Sequence, residues 1–356
     1  MYYDPKITVS IGDKLLEPSK YLCGERQGCP ASPILFDFFI NDIFKGISGV
    51  EVPGISSRIP ELLFADDAVV LADSAENLQT SLDAITVWSD TWEMAVNASK
   101  CAIMAVNCDD PAELTLQRQT ICTTDQYTYL GYIMNPKWSV AGTIKNNKMK
   151  AQKAMYAGYY FLIRSDVLTE LKVRFINSVL LPIWCYGGET FGMSENRSSP
   201  IQDVIDHATR MVAKVGKNAA MERIREELGI SSVFLRTSTV RERAYIKWPA
   251  SKTWIADLIN QPIKAQKSTW VTGCSRRIKK YCTKNAAGQT VISLANRKAK
   301  NDKSKIQHWA ISRNIKDKGN WIGLTAQHPT LRQGLQDVGR MRMGSYWTFV
   351  ELEKPK

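Results

Sequence analysis

Residues 61–71 of the chain, ELLFADDAVVL, decide the fold of the first third of the sequence. Two apolar runs, residues 62–64 and 68–71, flank the pair Asp66 and Asp67. Short apolar runs separated by polar turn residues are typical of a β-hairpin. The pattern therefore predicts that the two aspartates lie at the tip of a hairpin.

Adjacent aspartates at the end of a strand allow two interpretations. Aspartate is common in turns, because its side chain hydrogen-bonds the local backbone. Two carboxylates at a strand end are also a minimal pair of oxygen ligands for Mg²⁺, whose other ligands are usually substrate phosphates and water. Taken alone, Asp66 and Asp67 fit a plain turn and a metal site equally well.

Helical periodicity flanks the hairpin on both sides. Residues 33–47 place apolar side chains on one helical face, with Pro33 suited to the first turn. Residues 75–96 repeat Leu, Ile, Trp and Val at steps of three and four, which also predicts a helix. Three further segments are predicted as strands: residues 6–11, 101–106 and 127–134.

From about residue 138 the pattern becomes helical. Ser165 is a predicted N-cap, Pro182 a predicted stop and Gly229 a predicted C-cap. The periodicity weakens after residue 250, where Lys and Arg are abundant, and part of this region is expected to be poorly ordered. The predicted helices cover residues 143–163, 166–181, 200–217, 219–228 and 233–248.

The net charge of +12 is distributed unevenly along the 356 residues. Residues 1–137 carry 9 basic and 19 acidic side chains, a net charge of −10. Residues 138–250 have a net charge of +7, and residues 251–356 a net charge of +15. An acidic part suits cations and a basic part suits a polyanion, although a split of this kind can also serve solubility alone.

The eight cysteines contain no C-x-x-C pair, which favours free thiols in a reducing compartment. We therefore expect an intracellular protein, in the nucleus or cytoplasm. Apolar runs long enough to span a membrane are absent from the sequence, and no membrane partner is expected. Cys274, Cys282 and His308 are candidate zinc ligands, but their spacing is irregular and a fourth ligand is missing.

Several short motifs follow one another in a fixed order. They are R-Q-G-x-x-x-S-P at residues 26–33, F-I-N-D at 39–42, F-A-D-D at 64–67, N-x-x-K-C at 97–101 and Y-L-G at 129–131. In this order and spacing they resemble the palm of reverse transcriptases of the LINE type, the polymerases of non-LTR retrotransposons. The Arg-Gln-Gly and Phe-Ala-Asp-Asp forms fit this group better than the group II intron, telomerase or retroviral forms.

The resemblance continues over roughly residues 7–250. Leu180-Leu181-Pro182, followed by the Tyr-Gly-Gly-Glu of residues 186–189, resembles the end of a thumb helix. The segment Glu227 to Ile230 resembles the stretch that follows in this family. Near the C-terminus, the segment Arg340 to Gly344 resembles a stretch that often precedes a cysteine cluster.

The resemblance implies an α+β fold with a partial polymerase palm, an antiparallel sheet with helices, at residues 1–137. An all-α thumb at residues 138–250 and a basic C-terminal region at residues 251–356 would follow it. The family copies RNA into DNA by two-metal phosphoryl transfer, so the expected partners are an RNA template, a DNA primer, a dNTP and Mg²⁺.

Individual roles follow by position in the family's motifs. Asp66 and Asp67 would be catalytic metal ligands, and Leu130 and Gly131 would belong to the primer grip. Lys100 would lie near the triphosphate. The residues that would face the incoming nucleotide are Arg26, Gln27 and Gly28.

The family also needs an aspartate in a strand well before the R-Q-G motif. The aspartates ahead of Arg26 are Asp4 and Asp13, and neither has the expected F-x-D-x-x-x-A-F-D setting. We therefore expect an N-terminally truncated remnant that is inactive alone. The alternatives are a non-catalytic nucleic-acid-binding protein that uses the thumb and tail, and an enzyme that an upstream exon completes.

Overall fold

The computed structural model has an α+β architecture. Backbone contacts divide the chain into a first unit, Met1–Val52 with Ser56–Asp125, and a second unit, Pro53–Ile55 with Gln126–Lys356. The predicted domain boundaries at residues 137 and 250 stay predictions. The residues that the structure describes are 6–20, 24–26, 28–108, 113–216, 219–261, 269–281, 283–284, 290–291 and 319–345.

The first unit begins with short antiparallel strands. Strand β1 (Lys6–Ile7) pairs with β4 (Ser19–Lys20), and β2 (Ser10–Ile11) pairs with β3 (Lys14–Leu15). The predicted continuous strand over residues 6–11 is therefore wrong, since the chain leaves β1 and turns back after β2 through Gly12, which has a φ of +61°.

Two helices and a hairpin follow. Helix α1 (Ser32–Ile40) is shorter than the predicted 33–47, because the chain continues from Asn41 in successive tight turns. Strands β5 (Glu61–Phe64) and β6 (Asp67–Val70) form an antiparallel hairpin. Helix α2 (Ala75–Thr91) begins at Ser74, whose hydroxyl accepts a hydrogen bond from the Asn77 amide, as an N-cap should.

A three-stranded sheet completes the first unit. Strand β7 (Ala102–Ile103) pairs in parallel with β9 (Gln119–Thr123), and β8 (Leu114–Leu116) pairs antiparallel with β9. The predicted strand at residues 101–106 is reduced to two residues, and β8 and β9 were not predicted. The core of this unit consists of Ile40, Ile43, Phe44, Leu82, Ile85, Ile103, Leu114, Leu116 and Ile121.

Aromatic contacts fix α1 against α2. The Phe39 ring meets Trp88 and Trp92 edge-on, each at a centroid distance of 5.5 Å. The indole nitrogen of Trp88 donates a hydrogen bond of 2.9 Å to the Asp42 carboxylate. The F-I-N-D motif therefore has a structural use, since it holds the two helices together.

The second unit begins with a hairpin of β10 (Tyr127–Tyr129) and β11 (Tyr132–Met134). The sequence predicted a single strand over residues 127–134, which is wrong. Leu130 and Gly131 both have positive φ, +47° and +77°, and form a two-residue turn that reverses the chain.

The rest of the second unit is helical in its described part. The predicted N-cap at Ser165 is wrong, because the helix begins four residues later. The predicted C-cap at Gly229 is confirmed, with a φ of +68°. The helices are α3 (Ala141–Ala157), α4 (Tyr159–Ile163), α5 (Thr169–Phe175), α6 (Leu181–Trp184), α7 (Gly188–Phe191), α8 (Glu195–Ala213), α9 (Met221–Leu228), α10 (Val233–Lys247), α11 (Trp254–Asn260), α12 (Trp270–Tyr281), α13 (Trp321–Gln327) and α14 (Arg332–Arg342).

Pro182 does not stop a helix. A π-helical turn, Ile176–Leu180, joins α5 to α6, and Pro182 lies in the first turn of α6. The wider turn shifts the hydrogen-bond register just where proline lacks an amide hydrogen, so the helix continues to Trp184. Sequence periodicity cannot show such a register shift.

The helical core of the second unit is large and mostly aliphatic. It includes Leu162, Ile176, Trp184, Phe191, Ile201, Ile205, Ile224 and Leu228, and the C-terminal residues Trp321, Ile322 and Met343 also belong to it. Part of the region after residue 250 was expected to be poorly ordered. Much of that region lies outside the described residues, so the expectation stays untested, but residues 319–345 form two helices that pack on the core.

A buried ion-pair network attaches this C-terminal segment. The Glu227 carboxylate is fully buried and contacts Arg223 at 2.9 Å and Arg342 at 2.7 Å. The Trp321 indole and the Gly319 amide also donate to it, at 2.8 and 3.0 Å. The Glu227 to Ile230 motif and the Arg340 to Gly344 motif, found separately in the sequence, therefore meet.

We predict that Glu227→Gln lowers the free energy of unfolding by about 3–5 kcal/mol, because the buried Arg223 loses its fully buried acidic partner and keeps only the partly exposed Glu226. Urea denaturation of the variant and wild type measures the difference. The matched control is Glu226→Gln. This carboxylate contacts Arg223 at 3.3 Å but is 42% exposed, so it should cost less than about 1 kcal/mol. Equal losses in the two variants would contradict the prediction.

Candidate functional site

Asp66 and Asp67 lie at the tip of the β5–β6 hairpin, as predicted. The pairing of Phe64 with Asp67 leaves Ala65 and Asp66 as the turn. Both carboxylates are exposed to solvent. Ala65 has a φ of +52°, a left-handed conformation that costs a residue with a Cβ about 1–2 kcal/mol. Asp66 therefore lies in a tight, strained turn, and Asp67 follows it at the start of β6.

The base of this hairpin is fixed to the first unit. Val70 packs on the core, and the Leu71 amide donates to the Pro60 carbonyl at 2.8 Å. Just before β5, the Arg58 guanidinium contacts Asp73 at 2.7 Å and the Gly49 carbonyl at 2.6 Å. Hydrogen bonds from Asn77 and Arg58 lower the pKa of the Asp73 carboxyl. These contacts fix the base of the hairpin, which carries Asp66 and Asp67 at its other end.

The hairpin also exposes apolar side chains. Phe64 is 63% exposed and Leu63 is 39% exposed. On helix α1, Phe38 is 78% exposed. The hairpin forms a sheet of two strands, and both outer edges are unpaired within the described residues.

Glu61 is a third acidic residue of the hairpin, at the far end of β5. It pairs across the hairpin with Val70, at the opposite end of the ladder from Asp67 and so away from the tip. Burial raises the pKa of its carboxyl, and one of its oxygens is buried without a hydrogen-bond partner. No group of three or more His, Cys, Asp or Glu side chains in the described ranges could hold a metal ion. Within the described ranges, Asp66 and Asp67 are thus not part of a larger group of candidate metal ligands.

The R-Q-G motif forms a turn that leads into α1. The Ser32 hydroxyl donates to the Arg26 carbonyl at 2.9 Å, and the Cys29 amide donates to the same carbonyl at 3.2 Å. Gly28 has a φ of +81°, which suits glycine. The side chain of Arg26 is exposed, whereas Gln27 lies outside the described residues. Ser32 of the motif is thus a structural residue that shapes the loop.

Lys100 lies at the end of the 3₁₀ turn Ala98–Lys100 and is exposed. The Asn97 side chain accepts a hydrogen bond of 2.6 Å from the Ser99 hydroxyl, which closes this turn. The structure describes Arg26, Gly28, Asp66 and Lys100 on exposed loops or turns of the first unit, and Asp67 at the exposed start of β6.

Leu130 and Gly131, the predicted primer-grip residues, form the turn of the β10–β11 hairpin in the second unit. The Tyr186 hydroxyl donates a 2.7 Å hydrogen bond to the Leu130 carbonyl. The Tyr186 carbonyl in turn accepts a hydrogen bond of 2.8 Å from the Asn147 side chain. A Cβ at residue 131 would lie 3.1 Å from the Tyr186 ring, so the close approach favours glycine. The Y-L-G motif and the Tyr-Gly-Gly-Glu motif are therefore in contact.

A basic and aromatic surface on α3 and α4 was not predicted as a site. Lys145 and Lys153 are exposed along α3. Tyr156 and Tyr160 follow them and are 65% and 78% exposed. The steps of eight, three and four residues between these positions place them along one side of the helical segment, a signal that was present in the sequence.

Cys274 does not have the setting of a zinc ligand in the described structure. It is buried, and its sulfur accepts a hydrogen bond from Arg241 at 3.1 Å. Burial raises the pKa of its thiol, which disfavours the thiolate that binds zinc. Its predicted partners Cys282 and His308 lie outside the described residues, so the zinc prediction stays untested.

Comparison with known proteins connects this geometry to a family. Residues 2–134 match the family model described as "Reverse transcriptase (RNA-dependent DNA polymerase)". The "RNA-directed DNA polymerase from mobile element jockey" of Drosophila melanogaster is 28% identical over 181 residues, 48% of this chain and 19% of that protein. A "Retrovirus-related Pol polyprotein from type-1 retrotransposable element R2" of Nasonia vitripennis is 29% identical over 164 residues, 39% of this chain and 16% of that protein.

The chain is thus similar to the reverse transcriptases of non-LTR retrotransposons, and the family match covers less than half of it. The matched segment contains the R-Q-G loop, the Asp66–Asp67 hairpin, Lys100 and the Leu130–Gly131 turn. The chain spans less than a fifth of the length of the jockey and R2 relatives. Among the helices that the structure describes, none has the length and apolar character needed to span a bilayer.

We predict that Tyr186→Phe lowers the free energy of unfolding by about 1 kcal/mol or less, because it removes one partly exposed hydrogen bond. The amides of residues 130–132 should exchange with solvent faster, since the Leu130 turn loses its support. Hydrogen exchange and urea denaturation measure the two effects. The control Tyr160→Phe changes a highly exposed tyrosine and should alter neither. Unchanged exchange in Tyr186→Phe would show that the contact does not hold the turn.

Proposed function

We propose that this chain supplies the Asp-Asp hairpin, the nucleotide loop and the thumb of an RNA-directed DNA polymerase of a non-LTR retrotransposon. The observation that carries the proposal is the exposed Asp66–Asp67 pair at a fixed hairpin tip within the matched segment. Residues 1–137 correspond to part of the palm, and residues 138–250 to the thumb. The reaction class is phosphoryl transfer from a dNTP to a primer 3′-hydroxyl.

The carboxylates at the tip fit Mg²⁺. Protein sites for Mg²⁺ commonly use one or two carboxylates and leave the remaining positions to water and substrate phosphates. Asp66 and Asp67 are exposed, so phosphates can reach them. Bound divalent metal would stabilise the charge that develops on the transferred phosphate. The task of the chain is to fix the two carboxylates, through the core contact of Val70 and the contacts of Arg58.

The R-Q-G loop and the turn Ala98–Lys100 supply the groups that would contact the dNTP. Arg26 offers a guanidinium that can bind a phosphate with two hydrogen bonds, and Gly28 lets the backbone approach closely. Gln27, from the same motif, would also face the incoming nucleotide. Lys100 offers a point charge for the triphosphate. Ser32 holds the loop in shape through the Arg26 carbonyl.

The second unit supplies the surface that would hold the RNA template and the DNA primer. The Leu130–Gly131 turn, supported by Tyr186, is the proposed primer grip. The exposed lysines and tyrosines of α3 and α4 combine charge for phosphates with rings that can stack on bases. Contacts of this type follow the backbone of a hybrid without selecting its sequence.

We predict that the 356-residue polypeptide alone does not extend a DNA primer on an RNA template in Mg²⁺, because its aspartates ahead of Arg26 lack the setting that the family requires. Mn²⁺ should nevertheless bind at the hairpin tip and broaden the nuclear magnetic resonance signals of residues 64–68. The double variant Asp66→Ala with Asp67→Ala should lose this broadening.

Asp37→Ala is the matched control, since Asp37 is an exposed aspartate of the same unit outside the hairpin. This variant should keep the Mn²⁺ effect. Absence of broadening in the wild type would contradict the metal site. Primer extension that persists in Asp37→Ala and disappears in Asp66→Ala would instead show that residues 1–356 already hold a sufficient set of ligands.

A non-catalytic nucleic-acid-binding protein is the second candidate function. The observation that favours it is the charge of residues 251–356, a net of +15, which includes the Lys298 to Lys305 stretch outside the described residues. A protein of this kind would need the thumb and the C-terminal region but not the aspartates. Removal of the C-terminal region would also remove Arg342 and Trp321 from Glu227, so charge substitution is the cleaner test.

We predict that binding of a single-stranded oligonucleotide depends steeply on salt, and that the C-terminal lysines carry part of this dependence. Replacement of Lys298, Lys300, Lys303 and Lys305 by Gln should reduce the slope of log K against log salt by up to ~2.8, at ~0.7 for each phosphate that a lysine neutralises. Fluorescence anisotropy in a salt titration measures the slope.

The comparison variant carries Lys145, Lys150 and Lys153→Gln on α3. If both sets bind phosphate, both variants have a shallower slope, in rough proportion to the charges removed. A C-terminal variant with the wild-type slope would show that the Lys298 to Lys305 stretch does not bind nucleic acid. If the slope of log K against log salt is near zero in the wild type, neither α3 nor the Lys298 to Lys305 stretch binds nucleic acid through phosphate contacts.

A further inference from the structure

One stripe of α3 faces the β10–β11 hairpin. The Thr143 hydroxyl accepts a hydrogen bond of 2.9 Å from the Ile133 amide of β11. One helical turn later, the Asn147 side chain donates to the Tyr186 carbonyl at 2.8 Å. Lys150 follows after a further turn, and steps of four and three residues keep these positions on one face of the helix. The hairpin and the Lys150 side chain are therefore on the same side of α3.

The ammonium group of Lys150 lies at the Leu130–Gly131 turn. A Cβ added to Gly131 would be 3.9 Å from the Lys150 Nζ and 3.1 Å from the Tyr186 ring. Lys150 is exposed, and it pairs with no carboxylate in the parts of the chain that the structure describes. The turn therefore brings a positive charge that no acidic side chain neutralises and an aromatic ring to the same point.

Tyr186 is held at both ends, and it is still open to solvent. Its hydroxyl donates to the Leu130 carbonyl at 2.7 Å, and its own carbonyl accepts from Asn147, which is fully buried. Tyr186 is nevertheless 52% exposed. An aromatic ring that is fixed in advance loses little conformational entropy when a ligand packs on it. Tyr186 is therefore suited to contact a base or a sugar as well as to support the turn.

The hydrogen bond from Tyr186 also makes the turn more favourable for an anion. A carbonyl oxygen carries partial negative charge and repels the oxygens of a phosphate. At this turn the Leu130 carbonyl already accepts the Tyr186 hydroxyl. Lys150 offers an ammonium group, which binds phosphate as a point charge. Because a nucleotide carries its phosphate beside its sugar and base, one nucleotide can contact both side chains.

We infer that Lys150 and Tyr186 form a subsite for one nucleotide of the primer strand at the Leu130–Gly131 turn. The ammonium group of Lys150 binds the phosphate, and the ring of Tyr186 packs on the sugar or base. The choice of the primer rests on the proposed function, in which this turn is the primer grip. The binding of a nucleotide rests on the charge and the ring. Asn147 is a positioning residue, because it acts through Tyr186.

The ring is tested by binding of the full chain to an RNA template annealed to a labelled DNA primer, measured by fluorescence anisotropy. Tyr186→Leu should bind at least about fivefold more weakly, because it loses the aromatic face. Tyr186→Phe loses the hydroxyl but keeps the ring, so it should bind close to wild type. If the two variants are weakened equally, Tyr186 serves only the turn and the inference is wrong.

The charge is tested by the salt dependence of the same binding. Lys150→Gln should lower the slope of log K against log salt by ~0.7–0.9, the contribution of one phosphate contact, and Lys150→Arg should keep the wild-type slope. Lys45→Gln is the matched control, because it removes an exposed charge of the first unit that no proposed contact uses. Equal slopes in Lys150→Gln and Lys45→Gln would overturn the inference.

Photo-crosslinking of wild type identifies the strand. Iododeoxyuridine is placed at the 3′-terminal nucleotide of the primer or in its middle, and iodouridine in the template, and the crosslinked residue is mapped by mass spectrometry. A crosslink to Tyr186 from the primer end supports the subsite. A crosslink to Tyr186 from the template alone would contradict the choice of strand. This measurement and Lys150→Gln decide the result if Tyr186→Leu fails to fold.

Failure of this inference and failure of the proposed function give different results. If wild type binds the hybrid and crosslinks only through other residues, the subsite is wrong and the proposed function stands. If wild type does not bind the hybrid even at low salt, the subsite and the proposed thumb are both wrong.

Discussion

The carboxylate of Glu227 accepts hydrogen bonds from Arg342, Trp321 and the Gly319 amide, and the same carboxylate pairs with buried Arg223. Moving these charges out of water is expensive, and their mutual attraction offsets that cost only while every partner is present. The network joins residues more than 90 positions apart in sequence. The helical bundle of the second unit is therefore complete only with the C-terminal segment, which is part of its core and not an independent tail.

Sequence reasoning succeeded where the signal is local. The Asp66–Asp67 hairpin and the Gly229 cap depend on residues within a few positions of each other, so apolar runs and a single glycine were sufficient to predict them. Sequence reasoning failed where contacts between residues far apart in the sequence determine the local structure. Tyr186 supports the Leu130–Gly131 turn from 56 positions away, and the π turn before Pro182 depends on how the helix packs.

The candidate site shows the same division. The motifs Y-L-G and Tyr-Gly-Gly-Glu were each recognisable, but their hydrogen bond was not. Likewise, Asp42 belongs to a recognisable family motif, and the structure shows that it holds Trp88 of α2. Ser32 has a similar structural task beneath Arg26. A family motif thus contains both residues that would contact a substrate and residues that shape the local structure. The hydrogen bonds seen in the structure distinguish the two kinds, and the sequence alone does not.

The hairpin that carries Asp66 and Asp67 cannot be stable by itself, because an isolated two-stranded hairpin is marginal in water. Its position depends on Val70 in the core and on the contacts of Arg58 with Gly49 and Asp73. Polymerase chemistry requires metal ligands held to a fraction of an ångström. The first unit fixes the base of the hairpin and leaves the tip exposed, so under the proposed function the same contacts that fix the fold would determine where the two carboxylates meet a substrate.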